Sequence, residues 1–236
     1  VLGWLLDARR LLVSLPDDKY SAWLSTLETI IEKKGCMKED FDTLEGQLNH
    51  AAYVIPLARH FLTRIRAARN SRTNKKSWIK VTKGVTADLV LWRELLRRSN
   101  VGISMNLIVT RRPNRLCWSD SCPFGLGGFL LQSGRAWRLR IPKGSILFGS
   151  ALINNLLEFI GMAVNIWLEC LESDPNDCIL AIGDNTSAVG WLHNSSRLNI
   201  KLAAHEAHLL VARHVALLVL NAGCCLASQH IRGDLN

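Results

Sequence analysis

Apolar residues recur at the helical period up to about Arg115, then change to short alternating or continuous runs. Leu2–Val13 has strand character around a polar Asp7-Ala-Arg-Arg and predicts a short hairpin. Pro16-Asp17 opens a helix with Tyr20, Trp23, Leu24, Leu27, Ile30 and Ile31 on one face, and Lys33-Lys34-Gly35 end it. Phe41, Leu44, Leu48 and Ala52 define a second helix over 38–53. Pro56 marks a kink or restart, with Leu57–Arg69 helical beyond it, and Asn70–Lys83 is a polar, basic linker or arm. Thr86 is placed to cap a helix to Arg98 with Leu89, Trp92, Leu95 and Leu96 inward.

Beyond Arg115 the pattern predicts strands at Leu116–Ser119, Gly125–Gln132 and Ala136–Ile141, the last alternating Trp137, Leu139 and Ile141 with Arg138 and Arg140. A long helix follows from Ser150 to Glu172. Cys178–Ile182 is solidly apolar, as in a strand buried on both faces. Helices over 186–193 and 200–221, the second stopped by Gly223, precede a last strand at Leu226–Ile231. The order β-β-β-α-β-α-α-β is that of an α/β domain with a mixed sheet and flanking helices, preceded by a mostly helical region.

Composition narrows the function classes. Of 236 residues 48% are hydrophobic and six are proline, which excludes wholesale disorder. The longest apolar runs, 151–171 and 209–220, are broken by Asn, Glu or His, so neither is a membrane span. No initiator Met or secretory layout opens the chain, which looks like a fragment of a longer intracellular protein of the cytoplasm or nucleus, not a secreted one. The seven cysteines include no C-x-x-C pair, and most are expected to be small core residues in a reducing compartment. His205 and His208, three apart with no third ligand nearby, are expected on a helix surface.

The net charge of +9 is concentrated in residues 1–116, which hold 21 of the 29 basic residues and 11 of the 20 acidic ones. From Gly46 to Ala87 there is no acidic residue, while Arg59, Arg64, Arg66, Arg69, Arg72, Lys75, Lys76, Lys80 and Lys83 fall within it. Arg66 to Lys83 are therefore candidates for contact with nucleic-acid phosphates, with a merely solvated surface as the plainer alternative.

Three carboxylates are placed where an α/β sheet gathers chemistry. Asp120 follows Leu116-Cys-Trp-Ser, and Asp184 follows Ile179-Leu-Ala-Ile-Gly. Glu158 lies in the long helix among Leu156, Leu157, Phe159 and Ile160. If the first and fourth strands of this half are parallel neighbours, both aspartates leave the sheet at one edge and the helix can aim Glu158 at them. Such a cluster needs a counter-charge, which hard divalent cations supply, Mg²⁺ foremost with Mn²⁺ as a substitute. Two ions about 4 Å apart support phosphodiester hydrolysis. Taken singly, Asp120 and Asp184 could be turn or cap residues, and Glu158 could belong to a polar stripe with Asn154, Asn165 and Glu169.

The motifs resemble those of ribonuclease H. Cys117-Trp-Ser-Asp120-Ser-Cys-Pro-Phe-Gly-Leu-Gly-Gly128 is similar to the first, Asn155-Leu-Leu-Glu158-Phe to the helical Glu motif, and Ile182-Gly-Asp184-Asn-Thr-Ser-Ala188 to the third. His230-Ile-Arg-Gly-Asp234-Leu-Asn236 resembles the strand and loop before the fourth. Upstream, Leu2-Gly-Trp-Leu-Leu-Asp7, Leu15-Pro-Asp-Asp-Lys19 and Leu44-Glu-Gly-Gln-Leu-Asn49 resemble a reverse transcriptase palm end and thumb, and Ala87-Asp-Leu-Val-Leu-Trp92 the tether of retrotransposon polyproteins of DIRS-like or gypsy-like kind.

The resemblance implies a palm end and thumb-like helical region over 1–69, a basic linker and connection or tether over 70–115, and a ribonuclease H-like domain over 116–236. It implies Mg²⁺ on Asp120, Glu158 and Asp184, cleavage of the RNA strand of an RNA–DNA hybrid, and as partners a template–primer and the rest of the polyprotein, with no membrane. Asn155 and Asn185 are candidates for substrate contact. The chain ends at Asn236, ahead of the family's fourth carboxylate and last helix, and Asp234 is expected to be a loop residue rather than that ligand. Two rivals stand beside this reading: a catalytically inactive ribonuclease H-like binding or assembly module, and a strand transferase of the integrase type.

Overall fold

Pro16, with φ near its fixed value, sets the start of the first long helix, and two aspartates follow in the turn where negative charge suits the helix dipole. The computed structural model describes residues 3–109, 111–145, 147–148, 154–193, 205–234 and 236, and divides the chain into two compact units, Val1–Ile108 and Val109–Asn236. The segment 70–115 expected as linker and tether is thus split between them.

In the first unit, β1 (Leu5–Asp7) and β2 (Leu12–Ser14) form the predicted hairpin, joined on the β2 side by β5 (Ile103–Ser104). The Asp7 carboxylate closes the turn by accepting from the backbone N–H groups of Arg9 and Arg10. Helices α1 (Asp17–Lys33), α2 (Lys38–Ala51), α3 (Thr63–Asn70) and α4 (Lys83–Val101) surround a core of Leu27, Phe41, Leu44, Leu48, Phe61 and Trp92, none more than 1% exposed. A 3₁₀ turn, Ala58–Leu62, is the restart after Pro56.

Three local expectations change. The left-handed residue ending α1 is Lys34 (φ 54°), not Gly35. Gly35 instead begins β3 (Gly35–Met37), where the carbonyl of Ile79 passes so close that a Cβ would lie 2.6 Å from it. The basic arm is partly a strand, β4 (Trp78–Lys80), paired with β3 because Ile79 is buried between flanking exposed residues. And α4 is capped by Thr82, whose hydroxyl accepts from the Val85 N–H, so Thr86 lies one turn inside the helix.

The second unit is a five-stranded mixed sheet with helices on it, the α/β class that the pattern of apolar runs implies. Strands β6 (Arg115–Cys122), β7 (Gly125–Leu130) and β8 (Arg135–Arg140) form an antiparallel meander. Strand β9 (Cys178–Gly183) runs parallel to β6, and β10 (Cys225–His230) parallel to β9, giving the order β10-β9-β6-β7-β8. Helices α5 (Asn154–Cys170), α6 (Thr186–His193) and α7 (His205–Ala222) complete it. Gly223, at φ 69°, ends α7 as predicted. The start of the long helix before Asn154 and the predicted helix over 200–204 lie outside the described residues. Cys36, Cys117, Cys178, Cys224 and Cys225 are buried, and burial pushes the thiols of Cys36, Cys117 and Cys178 up to about 12. Among the described residues no helix is long and apolar enough to cross a membrane.

Candidate active site

Strand β6 is longer than its apolar run. The ladder with β7 continues to Cys122↔Gly125, so Asp120 sits inside the strand opposite Gly127, not at its end. The β6–β9 pair is parallel and in register at Trp118↔Ile182, which carries Asp120 and Asp184 to the same end of the sheet. Helix α5 crosses beneath. Its Gly161 brings the helix against Ser119, whose side chain would be 3.3 Å from a Cβ there. Glu158, one turn earlier, then points at the same place.

One carboxylate oxygen from each of Asp120, Glu158 and Asp184 lies within 4.8 Å of the others. Asp120 is exposed, Asp184 half-buried and Glu158 only 4% exposed. The Ser121 hydroxyl donates to Glu158 Oε1 at 2.7 Å and its N–H at 3.2 Å, while that N–H also donates to Asp120 Oδ1 at 2.7 Å. Burial pushes the Glu158 carboxyl up, the negative charges of Asp120 and Asp184 add to this, and the Ser121 bonds oppose it. Three oxygens of hard character at this spacing, one of them withdrawn from water, fit a divalent cation better than any single protein cation.

Asn155 and Asn185, predicted beside the acids, are hydrogen-bonded to each other, Asn185 Nδ2 donating to Asn155 Oδ1 at 2.8 Å. Asn185 also caps α6 by accepting from the N–H groups of Ser187 and Ala188. The end of β10 and the residues following it close the third side. His230 Nε2 lies 2.8 Å from the Asp184 carbonyl oxygen, the Ile231 N–H donates to the Gly183 carbonyl, and Asn236 Nδ2 donates to that of Ser119. A Cβ on Gly233 would sit 2.8 Å from Asp184 Oδ2. Ser121, His230 and Gly233 were missed as site residues. The signal for the last two was their motif, read only as the strand and loop before a fourth motif, and for Ser121 its place directly after Asp120. Asp234 pairs with Arg232 and is outside the acidic group.

One sequence expectation fails here, that of a surface His208. The polar stripe weighed for Glu158 runs along the buried face of α5: Asn165 and Glu169 are 1% exposed and point at the sheet. Asn165 donates to the Trp118 carbonyl and accepts from Trp137 Nε1, and Glu169 holds Arg115 at 2.9 Å. His208 is likewise buried, stacked on Phe159 at 4.8 Å and edge-on to Trp191 at 4.3 Å, because α7 packs that face against α5. The side chain of His205 lies outside the described residues.

The basic candidates belong to the first unit. Arg66 and Arg69 each bond Glu45 at 2.8 Å, so much of their charge is spent internally. Arg72, Lys75, Lys76, Lys80 and Lys83 are exposed.

No family model matches the chain, and no curated protein sequence matches it. Among solved structures it is similar to RNase H1 from the halophilic archaeon Halobacterium salinarum NRC-1, at 14% identity and TM-score 0.37 over 51% of this chain and 87% of that one. It is also similar to the foamy viral protease-reverse transcriptase in complex with RNA/DNA hybrid, at 10% identity and TM-score 0.36 over 100% of this chain and 30% of that one. The same enzyme in complex with dsDNA gives 10% identity and TM-score 0.36, over 99% of this chain and 44% of that one. The chain thus spans less than half the length of these two viral structures.

Proposed function

We propose that the chain is the ribonuclease H part of a retroelement reverse transcriptase, with its thumb and connection, and that it hydrolyses the RNA strand of an RNA–DNA hybrid. One observation carries the reading: three carboxylates from β6, α5 and the end of β9 converge within 4.8 Å in the strand and helix order that the motifs imply. Asp120, Glu158 and Asp184 would hold Mg²⁺, or Mn²⁺ in its place. The chemistry that divalent cations supply at such a site is activation of a water and stabilisation of the leaving oxygen.

The chain's own residues do the rest. Ser121 fixes the Glu158 carboxylate and ties it to Asp120. Asn155 and Asn185 hold their amides beside the acids, where a ribose or phosphate would lie. Arg72, Lys75, Lys76, Lys80 and Lys83 offer sequence-independent attraction for the phosphates of a template–primer, and Arg66 and Arg69 contribute what their pairing with Glu45 leaves. The remaining polyprotein would supply the polymerase.

The deciding experiment is Mg²⁺-dependent cleavage of a labelled hybrid beside duplex DNA and duplex RNA, with Asp184→Asn as control. Cleavage of the hybrid's RNA strand alone is expected, falling by roughly 100-fold or more in the variant, the several kcal/mol associated with a metal site. Tight hybrid binding with no cleavage by the parent would identify an inactive binding module. Cutting of duplex DNA instead would identify a strand transferase.

A further inference from the structure

Beside the acids the sheet is open. A cleft of about 710 Å³ runs across β6, β7 and β8, with Asp120 and Cys122 on one wall and Arg138 and Arg140 on the other. The strand registers explain its shape. Asp120 stands opposite Gly127, and Gly127 opposite Arg138; Cys122 stands opposite Gly125, and Gly125 opposite Arg140. Two rows therefore cross the sheet, each with a glycine in the middle, so no side chain rises between the acidic strand and the basic one.

Alternation places both arginines on the face away from α5, because Trp137, directly before Arg138, reaches the other way to bond Asn165 of that helix. Strands lie about 4.8 Å apart, so the Arg138 backbone is about 10 Å from that of Asp120, within reach of one nucleic-acid backbone. Both arginines are exposed, and neither has an ion-pair partner among the described residues. A guanidinium pair left unneutralised beside an acidic cluster suits a ligand whose negative charge is spread along a chain, as phosphodiesters are.

We infer that Arg138 and Arg140 bind the phosphodiester backbone of the nucleic acid engaged at Asp120, Glu158 and Asp184, the strand crossing β7 over Gly125 and Gly127. This rests on the hydrolase reading only in naming what the acids engage. Arg138 and Arg140 are positioning residues: they hold the backbone and take no part in bond breaking. Their contacts are to phosphate, so they add affinity without preference among sequences.

The test uses the full chain and a fluorescent RNA–DNA hybrid without divalent cation, titrated at several salt concentrations. Arg138→Gln/Arg140→Gln is expected to weaken binding about tenfold at low salt and to make the log–log salt slope shallower by about 1.4–1.8, two phosphate contacts' worth. Arg138→Lys/Arg140→Lys should keep the parental slope. Gly127→Val is expected to weaken binding with no change of charge; its Cβ would meet only the Trp137 carbonyl at 3.4 Å, so the strand accommodates it. Affinity and slope unchanged in the Gln variant would overturn the inference, and so would unchanged affinity in Gly127→Val. Cleavage by the parent, scored in the same preparation, separates the two claims. A cutting parent with an indifferent Gln variant sinks only the arginine wall, whereas a non-cutting parent with the expected binding losses sinks only the hydrolase.

Discussion

Asp120, Glu158 and Asp184 place three negative charges within a few ångströms, and Glu158 does so with almost no water around it. In the metal-free chain that arrangement opposes folding. Replacing Asp184 by Asn removes one charge and keeps the shape, so the variant is expected to melt at the same temperature or up to a few degrees higher, about 1 kcal/mol of relieved repulsion. A melting scan in EDTA checks this, and a clear drop would mean that Asp184 supports the fold by contacts beyond its charge. Arg66 and Arg69 give the opposite case. Glu45 is 9% exposed and its two oxygens take one guanidinium each. Arg66→Ala/Arg69→Ala leaves it unpaired and should destabilise the first unit by about 2–4 kcal/mol, read by urea unfolding, before any effect on nucleic acid is measured. Lys75→Gln/Lys76→Gln/Lys80→Gln should leave stability unchanged and flatten the salt dependence of hybrid binding. These residues differ although the sequence presents them as one basic run, because ion pairing across about 20 positions leaves no trace in local pattern.

Elements were legible where one face of a helix or one run of a strand is apolar. Leu89, Trp92, Leu95 and Leu96 are all buried as their spacing requires, and Cys178–Gly183 is the interior, buried strand its composition describes. Legibility stopped where tertiary contact overrides local pattern. Strand β4 exists because Ile79 is buried against β3, and β6 extends past its apolar residues because its pairing with β7 continues to Cys122↔Gly125. The carboxylates were readable as positions, while Ser121, His230 and Gly233 became site residues only once strands and loops were assembled. The same assembly creates a pH-dependent anchor at the far end of the sheet. Burial pushes the Asp177 carboxyl up, but hydrogen bonds from Arg115, the Asp174 N–H and Asn114 outweigh it and hold it below the usual range. A depressed carboxyl stabilises the fold above its unfolded value of about 4, and the contribution is lost as pH falls through the lower folded value. The melting temperature of the second unit should therefore drop between about pH 5 and pH 2, and Asp177→Asn should lower it at pH 7 while removing part of that slope.

Across the whole molecule the charge and the acids are divided between units. The first holds the basic run, and the second holds the three carboxylates with Arg138 and Arg140. Expressed alone, residues 109–236 should fold, keep their divalent-cation affinity and bind hybrid with a smaller salt slope than the full chain. Calorimetric titration with Mn²⁺ and a salt series on both proteins check this.

Helix α5 lays a line of polar groups against the sheet, Glu158 at Ser121, Asn165 at Trp118 and Trp137, and Glu169 at Arg115. Apolar faces tolerate sliding and rolling, since one methyl contact replaces another. Three separate hydrogen-bonding stations do not, because any slip of the rod unmakes all of them together. The aim of Glu158 is thus set partly by residues seven and eleven positions along, about 10 and 16 Å away at the helical rise. Damage at the remote stations should surface as slack at the acids, in a chain whose fold is otherwise intact.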